Sequence, residues 1–155
     1  MPGIRRATPR DLEELLALWT ALTEHHAARE PLFELRPEAD AEIRLLLARQ
    51  LRDADAATFV SASENMLVGF CTARIGAAPP IHAETARAEI TDLGVREEQR
   101  RRGVGRALVD AVLAWVRERG VARVEIRVAT TNEEGQAFWR SQGFGPFMDV
   151  LHRRL

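Results

Sequence analysis

The chain has 155 residues, of which 46% are hydrophobic and 29% are charged, and its formal net charge is -1. This length predicts a single domain that buries about 70% of its unfolded surface without disulfides or metals. The near-neutral charge excludes general attraction to nucleic acid or acidic membranes, and no apolar run approaches the ~20 residues of a membrane span.

The first third of the chain predicts one strand and two amphipathic helices. Residues 4–7 are predicted as a short strand, and Thr8 can cap a helix whose first position is Pro9. Leucines and a tryptophan recur at helical spacing over residues 12–22, and a second apolar stripe covers residues 43–51. The segment 25–34 between the helices has no apolar period and is predicted as a loop.

Three strands are predicted in the middle of the chain. Residues 58–62 and 66–75 are rich in β-forming residues, and the polar turn between them predicts a hairpin. In the next strand, residues 88–95, Ile90 follows one phase of the alternation, whereas Leu93 and Val95 follow the other. Such a slip predicts a β-bulge near residues 91–92, which leaves backbone groups locally unpaired.

The last third begins with the strongest helical pattern, which opens at Gly103 and closes at Gly120. Residues 124–128 alternate as a strand, residues 132–142 form a short predicted helix, and residues 147–152 are predicted as a final strand. The order β-α-α-β-β-β-α-β-α-β predicts an α/β domain over residues 1–155, built on a mixed, mostly antiparallel sheet.

The turn before the strongest helix has the pattern of an anion site. Gly103 and Gly105 lack side chains, so an anion can reach the first helical turn, where free N–H groups and the positive end of the helix dipole meet it. Arginine suits phosphate oxygens through its forked donors, and the turn carries Arg100, Arg101, Arg102 and Arg106. A P-loop needs a lysine, which the chain lacks, and a dinucleotide fingerprint needs a small residue where Leu108 stands.

This turn resembles the cofactor motif of the GNAT superfamily of N-acetyltransferases, in which Q/R-x-x-G-x-G/A follows a bulged strand. Here the motif is Arg100-x-x-Gly103-x-Gly105, preceded by Glu89-Ile90-x-x-Leu93-x-Val95. Downstream, Asn132 and Ala137-Phe138-Trp139-x-x-x-Gly143-Phe144 are similar to the family segment N…A-x-Y-x-x-x-G-F. The resemblance covers nearly the whole chain, and it implies a GNAT-like sheet with helices on both faces and a bulged, splayed central strand.

The resemblance also implies acetyl-CoA as the co-substrate. Its pantetheine arm would lie in the splayed gap and its diphosphate on the backbone of residues 101–106. The cofactor-binding residues expected on this basis are Leu93, Val95, Arg100, Arg101, Arg102, Gly103, Val104, Gly105, Arg106, Asn132, Phe138 and Trp139.

One position departs from the family pattern. The family often has a tyrosine that protonates the departing thiolate, but this chain has no tyrosine and carries Trp139 there. An indole N–H cannot supply that proton. Because a coenzyme A thiol is about as acidic as cysteine, with a pKa near ~8.5, it can leave as a thiolate. We therefore expect turnover without a side-chain acid.

Acetyl transfer requires the amine to lose a proton, to attack in line and to have its oxyanion stabilised by fixed donors. The backbone N–H of Leu93 is the candidate donor. Glu89 stands where members of the family often carry the general base, and Asp92 is the second candidate because a bulge exposes polar side chains. Both carboxylates stay open as the base.

The function that the resemblance implies is acetyl transfer from acetyl-CoA to a primary amine of a small molecule, by direct attack in a ternary complex. A protein N-terminal or lysine acetyltransferase and a non-catalytic acyl-CoA sensor are the alternatives. Carboxylates near the expected acceptor side would favour a cationic amine: Glu24, Glu30, Glu34, Glu38 and Glu84.

Other partners are not indicated. Three arginines without interleaved aromatics, in a chain of negative net charge, do not predict a nucleic-acid site, and the four histidines lack metal-ligand spacing. The lone Cys71 and the absence of an apolar leader after Met1 favour the cytoplasm. A homodimer formed through an edge strand is possible from the pattern.

Overall fold

The computed structural model describes residues 3–155. Its strands are β1 (Gly3–Arg6), β2 (Ala56–Ser63), β3 (Met66–Ala77), β4 (Ala86–Val95) and β5 (Val124–Ile126). Its α-helices are α1 (Leu12–Ala27), α2 (Asp40–Arg52), α3 (Val104–Glu118) and α4 (Glu133–Ser141). Short 3-10 turns form at Pro9–Asp11, Pro31–Phe33 and Glu97–Gln99.

The strands form one sheet in the order β1-β2-β3-β4-β5. The first three pairs are antiparallel, and β4 and β5 run parallel. The β4–β5 connection contains α3, as a crossover between parallel strands requires. The predicted mixed, mostly antiparallel sheet is confirmed.

Helices cover both faces of this sheet. Phe59 packs with the cluster that contains α3 and α4, whereas its neighbour Val60 packs with the cluster that contains α1 and α2. Because successive strand residues point to opposite faces, these clusters are two separate cores. The expected placement of helices on both faces is confirmed.

The turns that shape the sheet follow the sequence signals. Glu64 and Asn65, with φ of 49° and 66°, close the β2–β3 hairpin in the left-handed region, as a two-residue turn requires. Gly120, with φ of 72°, lies just beyond the end of α3. The predicted hairpin and the predicted end of α3 are confirmed.

The β-bulge lies where the phase of the alternation slips. Thr72 pairs with Asp92 and the next residue, Ala73, pairs with Ile90, so Thr91 has no partner on β3. Ile90, before the bulge, packs in the α3–α4 core. Because of the extra residue, Leu93 after the bulge packs against the same core. The predicted bulge is confirmed.

The bulge also separates β4 from β5. Their pairing ends at Ile90 and Ile126, although β4 continues to Val95. Arg96 N–H donates to Val68 O at 2.8 Å, so the alternation turns the backbone groups of Leu93 and Val95 away from β3. A gap therefore opens beside the second half of β4, and the expected splay of this strand is confirmed.

Two predicted elements are corrected. Residues 25–27 are the last turn of α1 rather than loop, because local hydrogen bonds such as Ala28 N–H to Glu24 O continue the helix where the apolar period has stopped. Residues 147–152 do not form the predicted strand, because they have no strand partner among the described residues. Strand propensity alone does not supply a partner.

Within residues 3–155, none of the helices combines the length and the apolar character needed to cross a bilayer.

Candidate active site

The corner between β4 and α3 exposes the first turn of that helix. Gly103 is the N-cap with φ of 82°, and Arg101 is also left-handed with φ of 58°. Among residues 3–155 no side chain caps the helix, and its first turn carries no acidic residue. The first backbone N–H groups therefore lack intrahelical partners and remain available to an anion.

Arginine side chains surround this helix start. Arg101 and Arg102 are exposed. The guanidinium of Arg106 lies 3.9 Å from the Asp110 carboxylate, too long for a hydrogen bond. Arg100 donates through Nε to Val95 O at 3.2 Å. The corner thus combines the helix dipole with positive side chains, of which Arg106 pairs loosely with Asp110.

Gly105 brings three elements together at the corner. A Cβ placed on Gly105 would lie 3.4 Å from Cζ of Phe138 and 3.9 Å from Cγ2 of Val95. The start of α3, the ring of Phe138 on α4 and the open end of β4 therefore meet there. A Cβ on Gly103 would have no atom of the described residues within 4 Å, so the space beside Gly103 is open in this part of the chain.

Two residues expected beside the cofactor have structural partners. Asn132 accepts the N–H of Gly135 at 3.0 Å and so caps α4. Trp139 is 8% exposed and packs edge-on between Phe138 and Phe144, with ring centroids 5.1 and 5.2 Å away. Of the two adjacent aromatic residues, Phe138 contacts the corner and Trp139 lies in the core.

Asp92 lies at the bulge, on the side of the sheet that faces α1. Its Oδ1 accepts the indole N–H of Trp19 at 3.1 Å, and its Oδ2 accepts the hydroxyl of Thr91 at 2.8 Å. Burial raises the pKa of the Asp92 carboxyl, although both hydrogen bonds and the nearby His26 act in the opposite direction. A carboxyl tuned in this way can accept a proton.

Glu89 lies three residues earlier, where β4 is still paired with β5. It is in register with Glu125, and its carboxylate is 3.7 Å from Nε of Arg127. Its side chain is 34% exposed, and Arg127 is more exposed still. Asp92 therefore lies beside the gap between β4 and β5, whereas Glu89 lies on the part of β4 that is still paired with β5.

Sequence reasoning missed two α1 residues that reach this region. The sequence predicts Trp19 on the core face of a helix, where the structure has it, and His26 in a loop. What the sequence does not show is that the Trp19 indole also hydrogen-bonds to Asp92. Burial, together with Arg29, lowers the pKa of His26, whereas the Asp92 carboxylate opposes this shift. Their separation of seven residues puts both on one helix face, and this spacing could have revealed the pair.

A shallow cavity lies beside the C-terminal half of α1. Its volume is about 340 Å³, and two carboxylates, Glu24 and Glu34, stand in its wall. The other residues that line it are Thr23, Ala27, Ala28 and Leu35. Five glutamates were noted from the sequence on the expected acceptor side. Of these five, Glu24 and Glu34 line this cavity together.

Comparison with known proteins gives a family match. A model described as the Acetyltransferase (GNAT) family matches residues 14–144. The chain is 29% identical over 161 aligned residues to an aminoglycoside N(6')-acetyltransferase type 1 of Stenotrophomonas maltophilia, a match that covers 99% of this chain and 93% of that protein.

A second relative matches over a shorter stretch. The chain is 43% identical over 63 residues to a mycothiol acetyltransferase of Beutenbergia cavernae, which covers 41% of this chain. The match spans about a fifth, 21%, of that relative's length.

A solved structure shares the fold over the full length. The aminoglycoside acetyltransferase AAC(6')-Iy, solved in complex with a CoA bisubstrate analogue, superimposes with a TM-score of 0.79 and 20% identity, covering 100% of this chain and 98% of that chain. At this identity the likeness establishes the fold.

Proposed function

Because the chain belongs to the acetyltransferase (GNAT) family, we propose that it transfers an acetyl group from acetyl-CoA to a primary amine of a small molecule. The observation that carries this proposal is the gap beside the second half of β4, which has the exposed start of α3 at its mouth. A gap of this kind suits a long, narrow thioester arm that ends in a diphosphate.

The residues at the corner fit coenzyme A. The backbone N–H groups of residues 104–106 and the arginine side chains bind its diphosphate. Open space beside Gly103 admits the phosphate oxygens, and Leu93 and Val95 present backbone groups to the pantetheine amides. The ring of Phe138 forms a wall of the same channel. When bound, the co-substrate supplies the acetyl thioester.

Asp92 is the base that we favour over Glu89. An amine that arrives as ammonium must lose a proton before it can attack, and a carboxylate whose pKa is raised by burial takes that proton better than an ordinary one. Asp92 also lies at the gap, whereas Glu89 precedes it on the paired stretch.

The remaining steps need fixed donors and a good leaving group. The N–H of Leu93, turned away from β3, stabilises the negative charge that develops on the acetyl oxygen. Trp139 is enclosed in the core and the chain has no tyrosine, so the thiolate leaves unprotonated. It then takes up, through water, the second proton that the attacking nitrogen loses as the amide forms.

The acceptor that the surface favours is a small cationic amine. Glu24 and Glu34 place two carboxylates in the wall of a cavity of about 340 Å³, and such a wall attracts a substrate with several amino groups. The full-length relative from Stenotrophomonas maltophilia is an aminoglycoside acetyltransferase. Both observations support a polyamine or an aminosugar over a peptide.

The test is a thiol-release assay with acetyl-CoA against polyamines, aminosugars and short peptides. We expect turnover with a polycationic small molecule, and a higher KM with unchanged kcat when Glu24 and Glu34 are both replaced by glutamine. Glu118→Gln, at the far end of α3, is the matched control. Turnover with peptides alone would contradict a small-molecule acceptor and favour a protein substrate. CoA binding without any turnover would contradict catalysis and favour the non-catalytic sensor.

A further inference from the structure

The end of α1 approaches the start of α4 at the mouth of the gap. Arg29, two residues beyond α1, lies with its Nη2 atom 3.9 Å from the carboxylate of Glu134, in the first turn of α4. α1 packs against β4, whereas the residues after β5 lead directly into α4. The two charged side chains therefore stand on opposite sides of the gap between β4 and β5.

The guanidinium of Arg29 is held from one side. Its Nη1 donates to the carbonyl oxygen of His25 at 3.2 Å and lies 2.7 Å from Nε2 of the same histidine. Its Nη2 makes no hydrogen bond to any of residues 3–155, and the distance of 3.9 Å to Glu134 is too long for one. Arg29 therefore has a fixed direction and keeps the donors of Nη2 free.

Arg29 also lies near the arginine corner. Burial lowers the pKa of His25, on the last turn of α1, and three nearby basic groups lower it further: Arg29, Arg100 and His26. Glu134 acts in the opposite direction. Water and salt screen exposed charges beyond roughly 10 Å, so the end of α1, the corner and the start of α4 converge on this histidine.

The charges at this place favour an anion over the acceptor amine. Arg29 and Arg100 are both positive, so a cationic amine would be repelled from the space between them. Glu134 is 60% exposed, and an exposed ion pair at 3.9 Å contributes little binding energy. A phosphate group carries more charge than this carboxylate and suits the forked donors of arginine. Glu134 is thus a weak partner that a phosphate can displace.

We propose that Arg29 is a further co-substrate-binding residue, whose free Nη2 exchanges Glu134 for the diphosphate of acetyl-CoA. This inference rests on the proposed function, because it needs that diphosphate at the backbone of residues 104–106. The new contact ties the end of α1 to the corner across the gap. Ala27 and Ala28, which line the acceptor cavity, directly precede Arg29, so the same contact also fixes a wall of that cavity.

Calorimetry with CoA tests the role of Arg29. We expect Arg29→Gln to weaken CoA binding about tenfold, the scale of one charge-assisted hydrogen bond. Arg44→Gln is the matched control and should bind like the wild type, because Arg44 is 45% exposed and pairs with Glu13 at the other end of α1. Equal affinity of Arg29→Gln and the control would overturn this inference alone. A wild type that binds no CoA would contradict the proposed function as well.

Glu134→Gln separates ligand exchange from a purely structural ion pair. Loss of this carboxylate frees Arg29 from its competitor, so CoA should bind about two- to fivefold tighter, the scale of an exposed ion pair. If the pair only held α1 against α4, both single variants would bind CoA more weakly, which would overturn the exchange. In the double variant the gain should largely disappear, because Arg29 is absent. An equal gain with and without Arg29 would also overturn the exchange.

A second probe, 3′-dephospho-CoA, identifies the phosphate that Arg29 contacts. This compound keeps the diphosphate and lacks the 3′-phosphate of CoA. Arg29→Gln should therefore weaken its binding by the same factor as it weakens the binding of CoA. A loss that disappears with this probe would assign Arg29 to the 3′-phosphate and would overturn the contact with the diphosphate.

Discussion

The two carboxylates that the sequence left open as the base differ in their surroundings. Asp92 is held by Trp19 and Thr91 at the bulge, and burial raises its pKa. Glu89 lies on the paired stretch near Arg127. The two carboxylates of β4 therefore lie in different surroundings, and a substitution at each position can separate their roles.

We predict that Asp92→Asn lowers kcat by roughly 10²–10⁴-fold, the usual contribution of general base catalysis. In the wild type, activity should rise with pH as the Asp92 carboxyl deprotonates. The variant should lack this acidic limb of the pH–rate profile. Asparagine keeps an oxygen acceptor for Trp19, so the fold should survive. Glu89→Gln is the matched variant and should keep both rate and profile; the reverse pattern would transfer the role to Glu89.

A second carboxylate acts on stability rather than chemistry. Asp11 accepts two hydrogen bonds of 2.8 Å from Arg5 on β1 and one of 2.7 Å from Thr8 N–H. The hydrogen bonds from Arg5 lower the pKa of Asp11 to about 2, against the effect of burial. This pair joins the first strand to the start of α1.

We predict that Asp11→Asn lowers the free energy of unfolding by about 1–2 kcal/mol at neutral pH. Because the folded pKa of Asp11 is depressed, its contribution is complete above pH ~4 and is lost as the pH falls through about 2. Urea unfolding at several pH values should therefore show the two proteins converging in acid. Glu13→Gln, which removes an exposed pair with Arg44, should change little at any pH.

At the scale of elements, the start of α3 is shaped by backbone conformation. Gly103 and Gly120 lie just outside the two ends of this helix, with φ of 82° and 72°. At either glycine, an added Cβ meets no atom of residues 3–155 within 4 Å. An alanine would therefore be strained to a similar degree at both positions. The two positions differ because only Gly103 lies at the corner proposed to bind phosphate.

We predict that Gly103→Ala weakens CoA binding at least tenfold, because a left-handed alanine is strained and its methyl group enters the space meant for phosphate. Gly120→Ala carries the same strain, about 1 kcal/mol, at the opposite end of the helix. Both variants should lose similar stability, and calorimetry with CoA should separate them. Equal affinity of the two variants would remove the corner from the binding site.

At the scale of the whole molecule, the sheet separates two cores and the site lies at its surface. The α3–α4 cluster and the α1–α2 cluster pack on opposite faces, and the gap forms where β4 and β5 diverge. A ligand in the gap would contact β4, α3 and α4 together. Its binding should therefore stabilise the domain as a unit.

We predict that CoA at a hundredfold excess over its Kd raises the free energy of unfolding by about 2.7 kcal/mol. For a domain of this size the melting temperature should rise by about 5–10 °C. Adenosine lacks the diphosphate and should produce a much smaller rise in a thermal melt. A rise of equal size with adenosine would contradict binding through the phosphates.

Most of the fold could be predicted because its signals are local. Apolar spacing predicted α1, α2 and α3, and helix start and stop signals predicted α4. The slip after Ile90 predicted the bulge, and Gly103 marked the start of α3. Residues 25–27 were misassigned because backbone hydrogen bonds continue a helix after its apolar stripe ends. The prediction of a final strand at residues 147–152 was wrong, because a strand needs a partner strand and the segment's own residues do not encode one.

The amino-acid sequence by itself determined the family motif, the bare glycine corner and the two base candidates, since each depends on neighbouring residues or on backbone preference. Only the tertiary structure decided that Trp19 bonds to Asp92, that Phe138 rather than Trp139 meets the corner, and that residues 147–152 stay unpaired. These outcomes depend on contacts between distant segments and on burial, which exist only once the sheet and its helices have packed.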